Sequence, residues 1–233
     1  MENTKPLYHR YRFPPEIISH AVWLYHRFCL SFRDVEDLLA ERGITVSYES
    51  IRQLCGKFGP SYARALKNRR GRLGDAWFLD GVFIKIHGEL HYLWRAVDQD
   101  GDTIDILMQK HRNKKAAKRF FRKLLKGQGL SPRRMTTDKL RSYSAAHREV
   151  MPSVVHSTKQ YENNRAELSH EPTRLRERQM RRFKSAGQAQ RFLTVHGVVG
   201  NLFRLGRHLI RAVYYREFRS RAFSEWQQVM YAY

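Results

Sequence analysis

Trp77-Phe78-Leu79-Asp80-Gly81-Val82-Phe83-Ile84-Lys85-Ile86 decides how this chain reads. The run is short and rich in aromatic and β-branched residues, the composition of a strand. It stops at His87-Gly88, resumes over residues 90–97, stops again at Asp98-Gln99-Asp100-Gly101, and resumes over 103–109. Three such runs separated by turn residues predict a β-meander. One acid, Asp80, stands inside the first run. A carboxylate among apolar strand residues costs several kcal/mol to bury unless it is paired or binds a metal.

Working downstream, Asn113 is placed to cap a helix reaching about residue 126, with Ala116, Ala117, Phe120, Phe121, Leu124 and Leu125 as its apolar face. Residues 135–137 read as a short strand, 143–150 as a helix and 154–157 as a last strand. A long basic helical region starts near Asn164. The order βββαβαβα is that of a ribonuclease H-like domain, an α/β fold with a mixed sheet and helices on both faces. Its first and fourth strands are neighbours, so Asp80 and Asp138, which ends the fourth strand in Met135-Thr136-Thr137-Asp138-Lys139, are expected to face each other. Glu167, just inside the basic region after Asn163-Asn164-Arg165-Ala166, can approach both. Three carboxylates in a basic field suit Mg²⁺, a hard ion that takes oxygen ligands and leaves positions open for phosphate and water. Two such ions about 3.5–4 Å apart activate a nucleophile and stabilise a leaving oxygen at one phosphate. Mn²⁺ is the expected substitute.

Upstream, residues 13–66 read as three helices. Pro14 and Pro15 suit a first turn, Ser31 caps the second helix, Gly43 ends it, and Ser47 or Ser50 caps the third. A short helix, a turn and a helix match a helix-turn-helix, whose third helix would enter the major groove led by Tyr48, Glu49, Ser50, Arg52 and Gln53. The expected organisation is a DNA-binding domain at 1–66, a basic linker at 67–76, and a ribonuclease H-like domain with basic C-terminal helices at 77–233.

Charge agrees with that organisation. The 233 residues carry 44 Lys+Arg against 22 Asp+Glu, a net +22. Such an excess favours a polyanionic partner, because each cation that neutralises a phosphate releases condensed counterions. Residues 165–221 hold 14 Lys+Arg against 4 Asp+Glu. Within them Arg174, Arg176, Arg178, Arg181, Arg182 and Lys184 read as a phosphate-binding surface, joined by Lys139. Phe203, Tyr214, Tyr215, Phe218, Phe223 and Trp226 read as core. Cys29 and Cys55 lack metal-site spacing and are expected to be reduced. No apolar run reaches the roughly 18 residues of a membrane span, so a cytoplasmic protein is expected.

The chain resembles transposases of the insertion-sequence-six (IS-six) family, bacterial elements that move by forming cointegrates. The matching stretches are residues 13–28 and 31–43, Leu79-Asp80 with Val82-Phe83-Ile84-Lys85-Ile86, and Leu93-Trp94-Arg95-Ala96-Val97-Asp98. They continue through Thr137-Asp138-Lys139-Leu140-Arg141-Ser142-Tyr143, Asn163-Asn164-Arg165-Ala166-Glu167 and residues 176–185. Residues 163–185 are the most specific part. The resemblance implies that Asp80, Asp138 and Glu167 are a catalytic and metal-binding triad, and that the helix-turn-helix binds terminal inverted repeats. It implies an integrase core that joins 3′ ends to target DNA, in a homodimer or higher homo-oligomer on DNA, in the bacterial nucleoid. The alternative is a decayed transposase that binds repeats and represses; Mg²⁺-dependent strand transfer on end DNA separates the two.

Overall fold

His87 and Gly88 both take positive φ, 49° and 85°, which closes β1 (Ala76–Ile86) onto β2 (Glu89–Val97) as a tight hairpin. The computed structural model describes residues 7–71, 73–159, 162–180, 182–206 and 209–231. The side chains of Arg165, Glu167, Leu168, Pro172 and Gln179 also lie outside the described set. The chain divides into two compact units, Gly71–Gly197 and Met1–Arg70 with Val198–Tyr233.

In the first of these, β2 turns into β3 (Thr103–Gln109) around Asp98, whose carboxylate accepts the Asp100 and Asp102 N–H groups at 3.0 and 2.9 Å. Asn113 accepts the Ala116 N–H at 2.9 Å and so starts α4 (Lys114–Gln128), which ends at Gly129 in the left-handed region. Then come β4 (Arg134–Thr137), α5 (Arg141–Val150) and β5 (Val155–Ser157). The sheet order is β3-β2-β1-β4-β5; β1, β2 and β3 are antiparallel, and β4 runs parallel to both β1 and β5. This is a ribonuclease H-like sheet. One face is covered by α4 and α5, with Phe120, Phe121 and Tyr143 buried against Trp77, Leu79 and Trp94. Burial of these rings stabilises the sheet domain, at roughly 25 cal/mol per Å² of apolar surface removed from water.

The long basic helical region expected after Asn164 is three helices, α6 (Asn164–Ser169), α7 (Glu171–Gln179) and α8 (Ala186–Phe203). Pro172 falls at the start of α7, where its missing N–H is tolerated but cannot continue α6. A second break precedes Ser185, whose hydroxyl accepts the Gln188 N–H at 3.1 Å and restarts the helix. α6 packs on β1 and β2.

In the other unit, α1 (Pro15–Arg27) begins with proline at its first turn. α2 (Phe32–Ala40) is held by a reciprocal cap, Ser31 N–H to Asp34 at 2.7 Å and Asp34 N–H to the Ser31 hydroxyl at 3.1 Å. Gly43 follows at φ 73°. Ser47, not Ser50, caps α3 (Tyr48–Arg69). α3 continues through Pro60 and takes in the first residues expected to be linker. The final helix, α9 (Ala212–Met230), packs on α1 and α3, whereas the sequence reading assigned it to the sheet domain. Trp226 meets Tyr62 edge-on at 5.4 Å and Phe223 lies 5.3 Å from Trp23. Of the six aromatics expected in the core, Phe203 and Trp226 are buried, while Tyr214, Phe218 and Phe223 are exposed. Among the described residues no helix is long and apolar enough to cross a membrane.

Candidate active site

The parallel register of β1 with β4 pairs Leu79 with Thr137. Each is followed by an aspartate, so Asp80, within β1, and Asp138, just past the end of β4, stand on neighbouring strands at the same level. Their charges interact: Asp80 is among the causes that hold Asp138 above the ordinary carboxylate range. Burial is the largest cause, and it outweighs the Leu140 N–H and the Arg112 guanidinium. Arg112 donates to Asp138 Oδ2 at 2.5 Å and the Leu140 N–H reaches Oδ1 at 3.0 Å. Asp80 is shifted the other way. Burial pushes it up, but His170, the Gly81 N–H and Arg112 together hold it below its usual value. His170 is 1% exposed and its Nε2 lies 3.3 Å from Asp80 Oδ2. Burial lowers the imidazole despite the carboxylate beside it, so His170 is neutral at pH 7.

Both ends of α6 are tied to strand residues beside Asp80. Asn163 Nδ2 donates to the Leu79 carbonyl at 3.0 Å. Arg95 pairs across the sheet with Asp80; it is buried, and its guanidinium donates to the Ser169 carbonyl and, at 2.6 Å, to the Thr173 hydroxyl. Six residues of helix rise only about 9 Å, so these two anchors hold the backbone of Glu167 over the strand that carries Asp80. The Glu167 side chain is outside the described residues. Among the described residues no three His, Cys, Asp or Glu side chains gather as a metal site.

Tyr143 lies beneath the pair. It is fully buried, its hydroxyl has no hydrogen-bond partner among the described residues, and burial with the two nearby carboxylates pushes its pKa well above 10. A Cβ at Gly81 would lie 3.7 Å from that hydroxyl and 3.8 Å from Arg112 Nε.

The expected DNA readers at the start of α3 form a network of their own. Arg52 donates to Glu49 at 2.5 and 2.8 Å, and Gln53 at 3.0 Å, which holds the Glu49 carboxyl at about 2. Ser50 and Ser47 share a hydroxyl contact at 3.0 Å, and the Arg33 guanidinium covers the Tyr48 ring at 4.4 Å. Tyr48, Arg52 and Gln53 are exposed. Of the expected phosphate contacts, Lys139, Arg174, Arg178, Arg182 and Lys184 are exposed, and Arg181 lies outside the described residues. Arg176 departs from the expectation: it is 1% exposed and packs over the Phe192 ring at 5.2 Å.

Sequence reasoning missed Arg112, Arg95 and His170. The last of these had a signal, since it stands three residues after Glu167 in the same basic segment.

Residues 74–205 match the family described as the DDE domain of IS240-type transposases. The transposase of the insertion sequence-like element IS431mec from Staphylococcus aureus is 32% identical over 175 residues, covering 72% of this chain and 78% of the relative. The chain belongs to the insertion-sequence-six family of DDE transposases. As a member it is an insertion-sequence transposase, a phosphoryl-transfer enzyme that processes DNA. The transposase for IS257 in transposon Tn4003, also of Staphylococcus aureus, is 31% identical with the same coverage. Among solved structures, the Mos1 transposase catalytic domain with raltegravir and Mg is similar at a TM-score of 0.41 and 13% identity, over 75% of this chain and 94% of that one.

Proposed function

We propose that Asp80, Asp138 and Glu167 are the catalytic carboxylates of this transposase and hold its divalent metal, Mg²⁺ with Mn²⁺ as a substitute. The observation that carries the reading is the Leu79–Thr137 register, which sets two acids side by side, with α6 anchored at both ends beside the first of them. The donor set fits a hard dication: two carboxylates, partly buried and mutually repelling, need positive charge, and oxygen is the ligand Mg²⁺ prefers. When bound, the metal supplies an activated nucleophile and a Lewis acid at the scissile phosphate.

The chain's own residues do the rest. Neutral His170 contacts Asp80 and leaves its negative charge intact. Arg112 supplies the counter-charge at Asp138 and lies within reach of a phosphate that approaches the pair. Water attacks the phosphodiester at the element's end, the P–O3′ bond breaks, and a 3′-OH is freed. That hydroxyl then attacks a target phosphate in line and displaces the target's own 3′ oxygen, so one phosphodiester forms as one breaks. α3 reads terminal inverted repeats through Tyr48, Glu49, Ser50, Arg52 and Gln53. Lys139, Arg174, Arg178, Arg181, Arg182 and Lys184 grip phosphates without reading sequence. Joining two ends calls for a homodimer or higher homo-oligomer on DNA, and cointegrates are the product. The place of action is the bacterial cytoplasm, at the nucleoid.

The test is to incubate the full chain with labelled end DNA and Mg²⁺ or Mn²⁺. Nicked 3′ ends and joined products are expected. Binding of end DNA with no metal-dependent product would overturn the reading in favour of a repressor.

A further inference from the structure

α4 carries seven Lys and Arg in fifteen residues and no acid. Its apolar side is buried in the sheet domain through Ala117, Phe120, Phe121 and Leu124. Three of the seven cations are matched: Lys114 and Lys118 by Glu149, and Lys123 by Asp105. Lys115, Arg119, Arg122 and Lys126 are exposed and meet no acid among the described residues. They follow one another at spacings of four, three and four, which is a single stripe along the helix. The stripe borders a shallow groove lined by Asn113, Lys114, Lys115, Lys118, Arg119 and Arg122. Beside it lies a second shallow groove that shares Lys115 and Arg119 and includes Lys110, which is paired with Glu89 at 3.5 Å.

A solvated face that only kept the protein soluble would intersperse acids, because like charges at i,i+4 repel and cost helix stability. Here Lys115 with Arg119, and Arg122 with Lys126, are such pairs, left without relief. The stripe spans roughly 16 Å, which matches about five phosphates along one strand of B-DNA. It offers no exposed aromatic ring on which an unpaired base could stack, so a duplex fits it better than a single strand. Apart from Asn113, which caps the helix, every side chain that lines the groove is a Lys or Arg, the residues that most often contact phosphate. The stripe also starts at the catalytic pair, since Arg112, two residues before α4, is the residue bound to Asp138.

We infer that the exposed face of α4 is a track for the phosphate backbone of duplex DNA, gripped without regard to sequence, and that it holds the target duplex as it runs away from the carboxylates. The inference rests on the transposase reading above. Such a track lets one protein read its own end through α3 and still accept many target sequences at the same active site.

The test uses the full chain with Lys115→Gln, Arg119→Gln and Arg122→Gln together. Glutamine keeps helix propensity, and an unchanged circular dichroism spectrum and melting temperature verify the fold. Affinity is measured without divalent metal from 50 to 200 mM salt, on a random-sequence duplex and on a duplex carrying the element's end. On the random duplex the log–log salt slope should shrink by about 2.7, which is about 0.9 for each lost phosphate contact. Affinity for it should fall at least tenfold at the low-salt limit. Affinity for the end duplex should change no more than about twofold, and Lys115→Arg alone should match wild type. An unchanged slope on random duplex overturns the inference; so does an equal loss on the end duplex, which would place the end on α4. Because this readout needs no cleavage, an absence of metal-dependent joining would overturn the triad and leave the track standing.

Discussion

His156 lies at the edge of the sheet, where its Nε2 meets the Thr137 hydroxyl at 2.9 Å and its ring stacks on His147 at 4.7 Å. Burial, with the charge of His147, pushes it down to about 4. The unfolded chain protonates this group near 6.5 and the folded chain does not. Its contribution is therefore fully present above pH 6.5 and is lost as pH falls from there towards 4. The ring is only half buried, so after allowance for solvent screening about 1 kcal/mol is at stake. His156→Gln keeps a partner for Thr137 and removes the titration. Urea unfolding at pH 7 and pH 5 should show a smaller loss of stability in the variant than in wild type. An equal loss would mean that other groups carry the acid sensitivity. The same scale explains what the sequence could and could not reveal of the site. Asp80 was legible because an acid inside an apolar strand demands a reason. Arg112 was not, because nothing local distinguishes it among 44 cations; its role comes only from the loop that folds it onto Asp138.

At the scale of elements, strands were the most legible part. The turn residues His87-Gly88 and Asp98–Gly101 bound them, and a two-residue loop fixes register. The end of α3 was harder to read, because proline is expected to break a helix interior and Pro60 does not end this one. The partner of α9 was illegible for another reason: aromatic spacing marks a face to bury but does not say against what. For α3 the ion pair between Glu49 and Arg52 sets the prediction. Arg52→Ala or Gln53→Ala should weaken binding to the element's own end by roughly 1–3 kcal/mol per lost base contact, with a smaller loss on random duplex. Glu49→Gln releases Arg52 and should tighten random-duplex binding, since a negative charge near phosphate is removed. Competition titrations with end and random duplexes measure both. If the Arg52 and Gln53 variants lose affinity equally for the two, α3 is not the reader.

For the whole molecule, the assignment of α9 to the N-terminal unit has a thermodynamic consequence. Trp226 is 5% exposed among Tyr62 and Phe203, so Trp226→Ala should cost about 3–5 kcal/mol of that unit's stability. Hydrogen exchange should show protection lost in α1 and α3 and kept in β1 and β2; loss spread evenly over both units would contradict the division. The proposed function rests on three carboxylates acting together, and charge-only substitutions address them most directly. Asp80→Asn, Asp138→Asn and Glu167→Gln keep size and hydrogen-bonding capacity but remove the attraction for a dication. In the full chain with labelled end DNA and Mg²⁺, each should lower cleavage and joining by several orders of magnitude while end binding persists. Glu171→Gln, which removes the same charge four residues further on, should retain substantial activity. Joining at the wild-type rate by Asp80→Asn or Asp138→Asn would contradict the account, and an active Glu167→Gln beside a dead Glu171→Gln would move the third ligand to Glu171.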